Sequence, residues 1–241
     1  MRRWLVRAAL LLSVAAMVWL VWDQRWSVVW RSLPFLLRGL GVSWLLTLIS
    51  TALGMVVGLG LALARLRGPL IVRASAAGFI ELVRAVPQLM VIFWVFFTYP
   101  ALTGGQALSA WAASLLSLTA IAAAYLAEVI RAGLAAVPAV QVESGFASGL
   151  TQLQILRFII VPQALRTMSP ALIATFVMMF KVTSLVYVTG LVEFFRAIIL
   201  VNNRDYAPYP LYITMAGGYL VCCTALSWVV RRMDPRYVLT G

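Results

Sequence analysis

Lys181, Thr183 and Ser184, in the string KVTS, are polar side chains set inside a long apolar run. An isolated ammonium at the centre of a bilayer costs about 2.5–3.5 kcal/mol on insertion scales, so such a lysine turns toward protein or water, where it can hold a carboxylate. The two hydroxyls beside it can donate to the same ligand, or to their own helix backbone as Ser and Thr in membrane helices commonly do. Two acid–base pairs recur at a spacing of three, Glu81 with Arg84 and Glu128 with Arg131. Each is expected to share one helix face and to neutralise itself as a structural salt bridge, with gating or helix anchoring as the alternative.

Other chemistries are excluded by composition. With no histidine in the chain, HExxH zinc sites and Ser-His-Asp triads are absent. The single lysine is followed by Val182, so there is no GxxxxGK[ST] loop, and the chain cannot hydrolyse ATP by a P-loop mechanism alone. Its seven acidic residues offer no convincing metal-ligand spacing, and no metal site is expected. Cys222 and Cys223 are adjacent in an apolar stretch and read as reduced packing residues.

The elements that must position these groups belong in a membrane. Hydrophobic residues make up 63% of the chain and charged residues 11%, against an apolar share nearer one half in soluble domains. Apolar runs at 4–22, 41–64, 79–99, 107–129, 168–190 and 208–230 are each long enough to cross a hydrocarbon core of about 30 Å as a helix. The expected fold is therefore all-α and integral to the membrane, with about six transmembrane helices. Membrane strands are disfavoured because the ten-residue alternation of a barrel is missing. Gly54, Gly58 and Gly60 suggest a small-residue packing face in the second span, and Pro87, Pro100 and Pro170 fall within or at the ends of spans.

The net charge of +12 follows topology rather than nucleic acid, because the basic residues sit at span ends without interleaved aromatics. Cytoplasmic N- and C-termini place thirteen basic residues inside against five outside (Arg25, Arg31, Arg38, Arg196, Arg204), as the positive-inside rule requires. The basic, then apolar, start could be a cleaved signal peptide. An uncleaved anchor fits better, since Ala15-Ala16 is followed by MVWLVW rather than a polar mature start.

Between the fourth and fifth spans, residues 131–166 form a long polar and apolar loop that this orientation puts in the cytoplasm. AVQVESGFAS can make two or three turns after Pro138 and end at Gly149, and Thr151 can cap a second helix. In TQLQILRFII, Leu153, Leu156 and Ile160 recur at helical spacing, and Pro162 is expected to stop or bend the run. Such a pair of helices either lies on the membrane surface or docks a soluble partner.

Glu143-Ser144-Gly145, then Gly149, then Ile160-Val161-Pro162 resembles the EAA motif of ATP-binding-cassette importer permeases, whose pattern is Glu-Ala-Ala, a glycine, and a hydrophobic-Leu-Pro ending. ELVRAVPQLMVIFWVFFTYP (81–100), AYLAEVIRAGLAAVP (124–138), VPQALRTMSPAL (161–172) and KVTSLVYVTGLVEFF (181–195) are similar to blocks of the polar amino acid uptake family. The TSLVYV and EFFR strings with NNRD downstream are most similar to the glutamate/aspartate branch. Ser144 and Gly145 replace the two alanines, Val161 stands where leucine is usual, and Val182 stands where the family has Asp or Asn.

The resemblance implies a type I importer permease core of five helices plus an extra N-terminal span. It divides the chain into a membrane anchor and periplasmic connector at 1–38 and a permease domain at 39–241. It implies a bacterial inner-membrane protein that moves a polar amino acid inward by alternating access. Its partners would be cytoplasmic ATPase subunits that bind the ATP and Mg, a second permease chain, a periplasmic or lipid-anchored solute-binding protein and membrane lipids. Coupling to the ATPase falls to Glu143, Ser144, Gly145, Gly149, Leu153, Leu156 and Pro162. The alternatives are a secondary amino acid transporter and a scaffold that recruits a soluble protein without transport.

Overall fold

The computed structural model describes residues 25–233, and every regular element among them is helical. The first helix, α1 (Ser27–Arg67), has 41 residues. At 1.5 Å per residue it is roughly 60 Å long, about twice a hydrocarbon core. It begins well before the span expected at 41–64, and it does so because Val28, Val29 and Leu36 have partners: they are buried against Phe194, Ala197, Ile198, Val201 and Leu211 from the other end of the chain. The helix passes without interruption through residues 38 and 39, where the domain division was expected.

The span expected at 79–99 is instead a broken pair, α2 (Leu70–Ala85) and α3 (Gln88–Leu102), with a bend of 113° between them. Val86 precedes a proline and takes an extended conformation (φ −91°, ψ 153°) that no helix can continue through. Then come α4 (Ala110–Ala135), capped by the Ser109 hydroxyl accepting from the Ala112 N–H, and the short α5 (Ala139–Ala147). The next helix, α6 (Gln152–Thr189), is followed by α7 (Phe194–Asp205) and α8 (Pro208–Met233). Among the described residues four helices are long and apolar enough to cross a membrane, or five if the bent pair counts as one span. Six were expected, of which the run at 4–22 lies outside the described residues, so six are not clearly present.

Pro162 does not end its helix. Residues Leu156–Ile160 open into a π turn, and the chain continues as α-helix from Val161. A proline lacks the N–H for its bond to the carbonyl four residues back, and its ring clashes there; that carbonyl belongs to Phe158, in the middle of the wider turn. The same device appears in α3, where the π turn Trp94–Thr98 precedes Pro100 and contains Phe96.

The centre of the fold is the α1–α4 seam. A Cβ on Gly54 would stand 2.5 Å from Ala122 Cβ and 3.0 Å from the Ala123 nitrogen; on Gly58 it would stand 2.9 Å from the Ala123 carbonyl oxygen. Ser43, Thr47, Ser50 and Ala62 are buried along the same helix, in the small-residue pattern that lets membrane helices approach closely. Gly60 does not join this face, since a Cβ there would meet nothing within 4 Å.

Candidate functional site

At one end of the molecule α5 and the start of α6 form a compact helical turn. The Gly149 backbone is left-handed (φ +77°), its N–H donates to the Phe146 carbonyl, and the Leu150 N–H donates to the Gly145 carbonyl. This is a Schellman ending, which satisfies carbonyls the helix would otherwise leave open. Thr151 then starts α6 with a complete capping box, its hydroxyl accepting from the Gln154 N–H while the Gln154 side chain accepts from the Thr151 N–H. Both features follow the sequence expectation.

The packing between the two helices does not. Gly145 is the buried residue of α5, and a Cβ there would lie 2.9 Å from Ile159 Cδ1 and 3.0 Å from Ile155 Cγ1. Ile155 is buried, whereas Leu153 is 73% exposed and Leu156 only partly covered, so the stripe of Leu153, Leu156 and Ile160 is not the inward face. Gln163 donates to Gln141 across the pair. Glu143 and Ser144 point outward, the Ser144 hydroxyl bonding the Val140 carbonyl at 2.7 Å. Val140, Phe146, Leu153 and Phe158 all remain largely exposed, an apolar surface of the kind that marks an interaction site.

Where α1, α2 and α4 converge lies an ion network. Arg65 is its hub: Nη1 donates to Glu128 Oε2 at 2.9 Å and Nη2 to Glu81 Oε1 at 3.1 Å. Arg131 forks onto Glu128 through Nε at 3.1 Å and through Nη2. The expected Glu128–Arg131 pair is therefore present, but the expected Glu81–Arg84 pair is not. Glu81 is taken by Arg65 from another helix, and the Arg84 guanidinium instead lies over the Tyr125 ring, 5.6 Å from its centroid.

Farther along, Lys181 is exposed near the end of the α-helical part of α6, where Thr183–Thr189 tighten into a 3₁₀ helix ending at left-handed Gly190 (φ +91°). The Thr183 and Ser184 hydroxyls donate to the Phe180 and Lys181 carbonyls, at 2.7 and 2.8 Å. The structure thus realises the backbone-bonding alternative for both. Lys181 and the Arg65 network are not brought into one site by any contact among the described residues.

Two residues important to this architecture carry no local signal. Arg65 reads as one more basic residue at a span end, because its acidic partners are 16 and 63 positions away. Glu193 is fully buried and caps α7, accepting from the Phe195 and Arg196 N–H groups at 2.8 Å each and from the Ser43 hydroxyl of α1 at 3.3 Å. Glu193→Ala strands two part-buried N–H donors, and a stranded donor of this kind costs on the order of 1 kcal/mol. Thermal unfolding in detergent should show the variant destabilised by at least that amount, and an unchanged midpoint would refute the capping role.

Among the described residues no group of three or more His, Cys, Asp or Glu could hold a metal ion.

Comparison with known proteins bears on the whole arrangement. The family model described as "Binding-protein-dependent transport system inner membrane component" matches residues 54–239. The chain is 31% identical over 222 residues to the glutamate/aspartate import permease protein GltK of Escherichia coli O6:H1 (strain CFT073), covering 90% of this chain and 99% of that protein. It is 28% identical over 211 residues to the glutamine transport system permease protein GlnP of E. coli K12, covering 88% and 96%. A crystal structure of an amino acid ABC transporter with histidines superposes with a TM-score of 0.80 at 28% identity, over 86% of this chain and 95% of that one. An inward-facing structure of the MetNI methionine transporter shares the fold at a TM-score of 0.68 and 20% identity.

Proposed function

The chain belongs to the binding-protein-dependent transport system inner membrane components, as a multi-pass permease subunit of an ABC-type amino acid importer, and from that premise we propose that it carries glutamate or aspartate inward by alternating access. The glutamate/aspartate assignment draws on the likeness to GltK, which is named for that import. ATP is hydrolysed on a separate subunit, in keeping with the missing P-loop. The working complex contains two permease chains, two ATPases that bind the ATP and Mg, and a solute-binding protein on the outer side. The N- and C-termini are cytoplasmic.

The observation that carries the mechanism is the α5–α6 turn. Its exposed apolar residues sit on a small unit packed against the start of α6, a helix of 38 residues that continues through Lys181 to Thr189. A partner that closes around Glu143, Ser144, Gly145, Gly149, Leu153, Leu156 and Pro162 would move the whole of α6 as a rigid body. At the other end of the stroke Lys181 meets the substrate carboxylate. The Arg65–Glu128–Arg131 network locks the inner ends of α1 and α4 together, with Glu81 joining α2 to it.

Proteoliposomes holding the permease, its ATPase and its binding protein should accumulate glutamate only when ATP is enclosed. Uptake by the permease alone under an ion gradient would instead establish a secondary transporter, and partner binding without any uptake would establish a scaffold.

Gly149 provides a finer test. A Cβ at this position meets nothing within 4 Å, so only the left-handed backbone resists substitution. Gly149→Ala should strain the turn by about 1–2 kcal/mol and slow uptake several-fold, while Gly149→Asn, which tolerates this backbone, should stay near wild type. Equal rates for the two variants would show that the turn geometry does not matter.

A further inference from the structure

The ion network leaves one cation over. Around the inner ends of α1, α2 and α4 stand Arg65, Arg84 and Arg131 against Glu81 and Glu128, and four of these five are chained by ion pairs of 3.1 Å or less. Arg84 is the fifth. Among the described residues it has no acidic partner within 4.0 Å, and its guanidinium is held over the Tyr125 ring. That placement leaves its N–H groups without a carboxylate partner among the described residues.

Arg84 lines a cavity of about 270 Å³ between α2, α4 and α6, together with Tyr125, Glu128, Thr167 and Met168. The volume is near the lower end for small-molecule sites and suits a ligand smaller than a drug. Val129, Ala132 and Ala171 give it an apolar wall. Arg is well matched to a carboxylate, which its fork can grip with two parallel bonds. Glu128 lines the same cavity as the opposite pole. Arg65 and Arg131 fill three of its roughly four acceptor positions, leaving one for an ammonium.

We propose that Arg84 receives the α-carboxylate of the translocated amino acid, and Glu128 its ammonium, in this cavity at the inner end of the pathway, as an exit-side site separate from Lys181. The proposal rests on the import function above. It assigns no preference among side chains, because the groups facing the ligand recognise only its backbone.

The test measures binding of radiolabelled L-glutamate and L-glutamine to the detergent-solubilised permease–ATPase complex, without binding protein. It is done in a Lys181→Gln background, so that a carboxylate held at Lys181 does not contribute. The Lys181→Gln complex should bind both amino acids and bind their α-amides at least tenfold more weakly. Adding Arg84→Gln should weaken binding of the free amino acids at least tenfold, and Arg84→Lys should restore part of it. The comparison with the α-amides needs no change at Arg84, so it holds even if an Arg84 variant fails to fold. Equal binding of acid and amide, no binding by the Lys181→Gln complex, or no effect of Arg84→Gln would overturn the proposal. ATP-dependent uptake by the wild-type complex, assayed in parallel, reports on the import reading independently: its absence sinks that reading, and its presence leaves Arg84 to be judged on binding.

Discussion

Gly145→Leu should abolish ATP-dependent uptake while leaving the chain folded and inserted. The atoms that a Cβ would meet at Gly145 are Ile159 Cδ1 at 2.9 Å and Ile155 Cγ1 at 3.0 Å, outer parts of side chains that can give a few tenths of an ångström. An alanine is therefore tolerable there, in keeping with the alanine usual at this position of the motif. A leucine adds three more carbons to a buried contact between the short α5 and the start of α6, and overpacking of this kind costs about 1–3 kcal/mol. The α5–α6 contact is small and lies far from the α1–α4 seam, so the strain is relieved by α5 lifting away rather than by unfolding of the body. We expect at least a tenfold loss of uptake and loss of ATPase co-purification, with an unchanged melting temperature for the permease. Wild-type uptake by Gly145→Leu would show that the packing of α5 on α6 is irrelevant to coupling.

Gly54→Leu should have the opposite profile and prevent folding altogether. Here the obstructing atoms are Ala122 Cβ at 2.5 Å and the Ala123 nitrogen at 3.0 Å, neither of which can move without its helix. The α1–α4 contact is the largest between any two helices, and forcing it apart exposes Leu46, Leu118, Ile121 and Leu126, all nearly or fully buried in one cluster. The loss is several kcal/mol, comparable to the whole stability of a typical domain. Fluorescence-detected size exclusion after detergent extraction should show no monodisperse peak. Gly60→Ala, on the open side of the same helix, should retain the peak and gain up to about 1 kcal/mol from helix propensity. A stable Gly54→Leu protein would mean that α1 and α4 are not in the contact described.

How much of this could be read in advance depended on how far each interaction reaches along the chain. Gly149 as a helix terminator and Thr151 as a cap were legible because each completes its bonds within about five residues. Glu128 and Arg131 were legible for the same reason. The partner of Glu81 was not, since Arg84 at three residues and Arg65 at sixteen are equivalent until the fold decides which helix comes closer. The three glycines of α1 look alike in sequence, yet Gly54 and Gly58 face α4 and Gly60 does not. Pro87 and Pro162 are the clearest contrast: a chemically identical residue breaks one helix sharply and is absorbed by the other. What differs is the backbone ahead of each, extended at Val86 and widened to a π turn at Leu156–Ile160, which no local pattern encodes. Glu193 escaped notice because a carboxylate that caps a helix against a distant serine resembles any loop acid.

The π turn at Leu156–Ile160 also sets a rotational phase. One residue beyond the regular repeat turns every later side chain by about 100° about the axis relative to the residues before it. The azimuth of Lys181 relative to the start of α6 therefore depends on a single surplus residue near Pro162: deleting one position inside the turn would close it to regular α-helix and keep the lysine's direction, whereas deleting one between Val161 and Lys181 would swing the lysine by about 100°. The docking end and the cargo end of α6 are in this sense indexed to one another, like two marks on a shaft joined by one splined coupling.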